Sequence, residues 1–309
     1  MSKLDPSAAL PDDARGASIA LGNFDGVHRG HQAVLAAAGE AAERLGANLG
    51  AAVFEPHPRR YFQPESAPFR LQTPAQRARA LAELGVREVF EIGFDAGTAR
   101  SSDREFAERV LKDCLGVRHI SVGADFRFGR GRMGDVESLT RLGAEFGFGV
   151  TAVAPVGGAD KVSSTAARLA IAAGDMEQAE ELLGRPWAIE GEVQRGFARG
   201  AGLGFPTANL DLGDYVRPKL GVYAVRVDLG DGVLLPGVAN AGVNPTVGAL
   251  PAPLLETHLL DFSGDLYGQR IEVELIHFLR AEAAFESLDA LKKQMTQDVI
   301  EARRALIGR

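Results

Sequence analysis

The chain has 309 residues, enough for two domains with separate cores, and an ordinary globular composition of 46% hydrophobic residues, 24% charged residues and 37 glycines. Its formal charge of −7 offers no electrostatic case for nucleic acid or an anionic membrane as a partner. A single cysteine excludes a disulfide framework and a thiolate metal cluster, and no apolar run reaches membrane-spanning length.

The opening stretch "MSKLDPSAALPDDARG" lacks the apolar segment of a secretory signal, so a cytoplasmic location is expected. From Ser18 onward, short β-rich runs alternate with helical patterns. The strands are expected at Ser18–Leu21, 49–54, 88–94, His119–Gly123 and 149–154. Helices are expected at 32–45, 74–84, 103–115 and Val136–Phe146, with Thr73 capping before Pro74 and Asp103 capping the third helix. Such alternation predicts a parallel sheet with helices on both faces. Cys114 occupies an apolar helical position and reads as buried and inert. Two more helices, Ser164–Ala173 and Met176–Leu183, close this half.

The pattern changes after "LLGRPW". Runs at 221–229, 233–239, 254–262 and 271–278 are β-type, separated by Gly, Pro and Asp turns such as "DLGDG", and a charged helix at 287–306 follows. Strands at this spacing predict an antiparallel barrel or sandwich. With no internal repeat and no low-complexity linker, the chain divides into 1–184 and 186–309, two halves expected to be separable.

"GNFDGVHRGH" begins where the first strand ends and runs into the first helix. Strand ends of an open parallel sheet gather ligands, and the helix start adds N–H groups and a dipole suited to an anion. His28 and His31 share a face at i, i+3, and Gly30 removes a side chain from the approach. Two imidazoles can donate to phosphoryl oxygens as charge builds. A zinc site with His57 of "FEPHPR" as third ligand is the alternative, although no acidic or cysteine ligand stands at an obvious spacing. The G-x-G-x-x-G spacing of a dinucleotide site is absent. "ADFRFGRGRMGD" combines aromatic rings and arginines, as single-stranded RNA binders do, but no wider basic face accompanies it.

In order, "GNFDGVHRGH", "FEPHP", "VGADFRFGRGRMGD" and "SSTAAR" resemble the nucleotidyltransferase module of the bacterial bifunctional riboflavin kinase/FAD synthetases. The resemblance continues through "GLGFPTANL", "GVYAV", "NPTVG", "LETHLLDF", "DLYG" and "FLRAEAAFESLDALKKQ". By composition alone the PTAN stretch would be a turn. The fold thus implied is a Rossmann-like nucleotidyltransferase domain followed by an antiparallel β-barrel with a C-terminal helix.

The implied activities are phosphorylation of riboflavin to FMN and adenylylation of FMN to FAD, both with Mg²⁺ and ATP. The substrates are small molecules, with no nucleic acid or membrane partner; oligomeric state is left open. For adenylylation the resemblance implies His28, His31 and Arg168 as catalytic groups. It implies Gly22, Asn23, Phe24, Asp25, Gly26, Gly30, His57, Asp125, Phe126, Phe128, Ser163, Ser164 and Thr165 as nucleotide or flavin contacts. For phosphorylation it implies Glu256 as base, Thr207 and Asn209 as Mg²⁺ ligands, and Arg199, Gly204, Pro206 and Arg280 in binding.

There are two departures. Ala167 stands where the family has Ile, which implies looser packing. Ala201 replaces a basic residue that reaches phosphates, a role left to Arg199 or Arg195. His258, two residues from Glu256 on the same strand face, is expected at the surface. The rival readings are an adenylyltransferase with a degenerate β half, and a flavin-binding regulator without catalysis. The presence of PTAN, Glu256 and HRGH argues against both.

Overall fold

The computed structural model describes residues 2–4, 10, 15–157, 161–194, 205–244 and 252–307. The chain divides into two compact units, Met1–Ala67 with Pro74–Ser163, and Pro68–Thr73 with Ser164–Arg309.

The first unit is a six-stranded parallel sheet in the order β1-β4-β3-β2-β5-β6. Its strands are β1 (Ser2–Leu4), β2 (Ser18–Leu21), β3 (Leu49–Glu55), β4 (Glu88–Gly93), β5 (His119–Gly123) and β6 (Gly149–Val153). The helices are α1 (Arg29–Leu45), α2 (Pro58–Phe62), α3 (Pro74–Glu83), α4 (Ala96–Arg100), α5 (Asp103–Phe106) and α6 (Val136–Phe146). After α5 the chain continues as a π-helical stretch over Ala107–Cys114.

Strand β2 reads "SIAL" without alternation because both of its faces are buried. Ile19 and Leu21 pack with Phe54, Phe106, Leu111, Leu139 and Leu142 on one face. Ala20 packs with Val34, Leu35, Ala38, Ala80 and Leu81 on the other. Helices α1 and α3 therefore cover one face, and α5, its extension and α6 the other. From β2 the chain adds β3 and β4 to one side, then returns to add β5 on the other. The strand order reverses beside β2, so the crevice expected of such sheets opens at the carboxyl ends of β2 and β5.

Two local expectations are corrected. Ser102, not Asp103, caps the third helix: its hydroxyl accepts from the Glu105 N–H while Glu105 bonds back to the Ser102 N–H, a reciprocal box that moves Asp103 into the first turn. Helix α1 starts at Arg29 rather than 32, because His28 supplies the cap.

The second unit holds α7 (Ser164–Ala173), α8 (Met176–Leu183) and six strands, followed by α9 (Leu288–Leu306). The strands are β7 (Trp187–Glu192), β8 (Ala208–Asp211), β9 (Gly221–Asp228), β10 (Leu234–Asn244), β11 (Ala252–Leu259) and β12 (Arg270–Arg280). They pair antiparallel in the order β7-β12-β9-β10-β11-β8. The two edge strands approach each other where the Gln194 N–H donates to the Asn209 carbonyl at 2.9 Å, and the sheet is a nearly closed barrel. Strands β7 and β8 are additional to those read from the pattern, and β8 begins inside the PTAN stretch.

Residues Pro68–Thr73 belong to this second unit although they come from the first half of the chain. The Trp187 indole N–H donates to the Leu71 carbonyl at 2.7 Å, and Arg168 Nε to that of Phe69 at 2.7 Å. Arg70 exchanges backbone bonds with Asp214 and Val216. Helix α8, with Met176, Ala179, Leu182 and Leu183 buried, packs on β7 and β12. A fragment of residues 186–309 lacks all of these partners, whereas one of residues 164–309 keeps α8 on β7 and β12. We expect it to melt below a 164–309 fragment, by a few degrees for each ~1 kcal/mol of lost packing. Scanning calorimetry of the two fragments checks this, and equal melting temperatures would contradict it.

Candidate active sites

The first site grows from the turn leaving β2. The Gly22 N–H still bonds the Ala52 carbonyl of β3 at 3.1 Å. Beyond it the backbone leaves the ladder, and Phe24, Gly26 and Val27 take left-handed conformations with φ of 51°, 89° and 41°. Glycine accepts this readily, whereas Phe and β-branched Val are each strained by roughly 1–3 kcal/mol. Burial holds them there: Phe24 and Val27 are almost fully enclosed, and Asp25 is buried between them. Gln32 Nε2 donates to the Val27 carbonyl at 3.0 Å. From α3, the buried Arg77 reaches the Asn23 carbonyl at 3.5 Å and pairs with Glu55 at 3.2 Å and Glu91 at 3.7 Å.

His28 caps α1 through Nδ1, which accepts the His31 N–H at 3.2 Å. A neutral imidazole bonded in this way carries its proton on Nε2, as a donor. The His28 and His31 rings stack with centroids 3.6 Å apart and 16° between planes. Both therefore stand at the positive end of the helix dipole. A Cβ on Gly30 would meet the His28 ring at 3.1 Å and the Val162 carbonyl at 3.4 Å, so close packing around His28 requires glycine here. His57 caps α2, its Nδ1 accepting the Arg59 N–H at 3.1 Å. Among the described residues no group of three His, Cys, Asp or Glu side chains is arranged to hold a metal.

The loop after β5 carries the other predicted residues of this unit. Asp125 pairs with Lys161, whose hydrogen bond holds its carboxyl below the ordinary range. Phe126 and Phe128 stack at 5.7 Å, and Phe128 exchanges backbone bonds with Gly134. Aromatic contacts continue from Phe128 to Phe106 at 5.9 Å, to Phe54 at 5.9 Å and to Phe94 at 5.7 Å. They end at Tyr61 and the exposed Phe62, both edge-on to Phe94.

Sequence reasoning missed Lys161 and this aromatic row. It also missed Arg77, although a signal was present: Gln76, Arg77, Ala80 and Leu81 form the buried stripe of α3, and an arginine on such a stripe demands buried acids. Ser163 ends the first unit, while Ser164, Thr165 and Arg168 lie in α7 of the second. Ala167 is fully buried there, and the Arg168 guanidinium lies over the Phe69 ring at 5.5 Å.

The barrel carries the second constellation. Glu256 sits in β11, directly across from Asn209 on β8 and from Asn240 on β10. Directly paired residues share a sheet face, so two amides flank the carboxylate. Asn209 is buried, and its Oδ1 has no hydrogen-bond partner among the described residues. Pro206 and Thr207 precede β8 immediately. His258, expected at the surface, is partly exposed, and its Nδ1 stands 2.9 Å from the Pro206 carbonyl. Arg280 is held by α9: Asp298 accepts its Nε and Nη2 at 2.8 and 2.7 Å, and the Ala281 carbonyl accepts Nη1 at 3.0 Å. Arg199 and Gly204, with Arg195 and Ala201, lie outside the described residues.

Residues 10–166 match the family model described as FAD synthetase, and residues 183–306 the one described as riboflavin kinase. The bifunctional riboflavin kinase/FMN adenylyltransferase of Pseudomonas fluorescens is 47% identical over 295 residues, spanning 95% of this chain and 94% of that protein. The protein of the same name from Escherichia coli (strain K12) is 44% identical over 290 residues, spanning 93% and 92%. A crystal structure named as a macrolide-efflux protein from Streptococcus pneumoniae superposes with a TM-score of 0.87 at 30% identity, covering 98% of both chains. In the chain described here, no helix among the described residues is long and apolar enough to cross a membrane.

Arg77→Met removes the buried guanidinium that pairs with both Glu55 and Glu91. We expect a loss of about 3–5 kcal/mol of stability, as for other broken buried ion pairs. Denaturant unfolding measures it, and an unchanged midpoint would contradict the buried network.

Proposed function

The chain belongs to the bifunctional riboflavin kinase/FMN adenylyltransferases, and on that premise we propose how its residues divide the two reactions. It phosphorylates riboflavin to FMN with its C-terminal part and adenylylates FMN to FAD with its N-terminal part. The ATP and riboflavin it uses are soluble small molecules, and we assign it to the cytoplasm.

In adenylylation, a phosphate oxygen of FMN attacks the α-phosphorus of ATP, the bond to the β-phosphate breaks, and pyrophosphate leaves. The protein's task is to hold donors where charge accumulates. His28, with Nδ1 occupied by the His31 N–H, offers its Nε2–H, and His31 stands beside it at the start of α1. The strained Gly22–Gly26 turn presents backbone N–H groups, and Asn23, Phe24 and Asp25 give that turn its shape. His57 acts by capping α2 beside it. Asp125, paired with Lys161, and the rings of Phe126 and Phe128 are assigned to nucleotide and flavin. The exposed end of the aromatic row at Phe62 suits the flat face of a flavin. Ser163, Ser164, Thr165 and Arg168 are given to the nucleotide phosphates by the resemblance alone.

In phosphorylation, Glu256 accepts the proton of the terminal ribityl hydroxyl as its oxygen attacks the γ-phosphorus. The observation that carries this assignment is the register of β11, which sets Glu256 between Asn209 and Asn240. Thr207 and Asn209 would hold Mg²⁺; bound there, the ion would neutralise charge on the terminal phosphates. Their chemistry fits: both offer hard oxygens, and the Asn209 Oδ1 is buried without a protein partner among the described residues. Pro206 fixes the backbone entering this pair, while Arg199 and Gly204 are assigned to ATP. Arg280, bound at two nitrogens by Asp298, acts on the site by fixing the end of β12 to α9 rather than by meeting phosphate.

Riboflavin and MgATP, followed by chromatography of the flavins over time, test both halves at once. Glu256→Gln is expected to slow FMN formation by about 10²–10⁴-fold while converting supplied FMN to FAD normally. His28→Ala is expected to accumulate FMN, with FAD formation slowed roughly a hundredfold or more. Equal slowing of both steps by either variant would overturn the division of labour.

A further inference from the structure

His258 faces the loop that the proposed metal ligands occupy. Its Nδ1 lies 2.9 Å from the Pro206 carbonyl oxygen, and its ring meets the Phe205 ring edge-on at 5.2 Å. A carbonyl can only accept, so Nδ1 carries the proton and donates. The need for this donor follows from the register. The ladder between β8 and β11 runs from Leu254 opposite Asp211 to Thr257 opposite Ala208, and stops there. Pro206 lies just beyond its end, so the Pro206 carbonyl receives no ladder hydrogen bond. The imidazole replaces that bond from the side-chain face, one residue ahead of Thr207.

We infer that His258 is a positioning residue of the kinase reaction: by clasping the Pro206 carbonyl it holds Thr207 and Asn209 at the spacing needed to bind a metal–nucleotide. Glu256 and His258 lie on the same strand at i, i+2. One rigid element therefore carries the proposed base and also fixes the loop opposite it. An aspartate at position 258 does not substitute, because an ionised carboxylate accepts rather than donates.

This inference rests on the assignment of Thr207 and Asn209 to the metal, so the test keeps the two apart. Full-length wild type, His258→Ala, His258→Asn and Thr207→Ala are compared without ligand by hydrogen–deuterium exchange of residues 205–211, and with MgADP by calorimetry. One net hydrogen bond is worth about threefold to tenfold in an equilibrium. His258→Ala is expected to raise loop exchange and weaken MgADP binding by about that factor. His258→Asn, whose Nδ2–H can meet the same carbonyl, is expected to recover most of both. Conversion of FMN to FAD stays at the wild-type rate in both. Wild-type exchange or binding in His258→Ala, or a defect that His258→Asn does not relieve, overturns the clasp. If Thr207→Ala binds MgADP as wild type does, the metal assignment fails instead, whatever His258 does.

Discussion

A backbone carbonyl that leaves a β-ladder must find another donor or be solvated. In the first unit the turn after β2 gives up its strand bonds at Asn23 and Val27. Side chains from elsewhere meet both carbonyls, Arg77 from α3 and Gln32 from α1. In the second unit the loop ahead of β8 does the same at Pro206, and His258 of β11 meets it. Each loop is therefore tied to a regular element by a side chain that reaches the backbone. The left-handed Phe24 and Val27 persist because that tie, together with burial, leaves the turn no alternative.

From this constraint the chemistry of both units follows. Phosphoryl and adenylyl transfer ask little covalent work of a protein and a great deal of positioning. A parallel sheet with its strand order reversed at β2 brings two loops to one crevice and points a helix start at it. An antiparallel barrel instead lines up side chains by register, and Asn209, Glu256 and Asn240 occupy one row across three strands. Different folds thus fix a set of donors and acceptors by different local means.

Much of this was legible in the residues. Strands Ser18–Leu21 and His119–Gly123 and helices Val136–Phe146, Ser164–Ala173 and Met176–Leu183 have the limits that hydrophobic pattern and caps predict. What could not be read depended on contacts distant in sequence. Strand β8 is short and starts inside a stretch with turn chemistry, so only its pairing with β11 makes it a strand. Residues Pro68–Thr73 look like a connection within the first half, yet they hydrogen-bond to residues more than a hundred positions on, such as Trp187. The pairing of Arg280 with Asp298 likewise joins β12 to α9, and no local pattern around Arg280 announces it. His258 is partly exposed, as expected, but nothing local indicates that the proline carbonyl beside it needs a donor.

On the proposed division of residues, one chain carries two catalytic sites that work independently. The most direct measurement mixes Glu256→Gln with His28→Ala, supplies riboflavin and MgATP, and follows FAD by chromatography. Each variant is nearly inactive alone in the overall conversion. If the sites are independent, the His28→Ala protein makes FMN, the Glu256→Gln protein converts it, and FAD accumulates in the mixture after a lag. A mixture that forms FMN but no FAD, while Glu256→Gln alone converts supplied FMN, would contradict the claim.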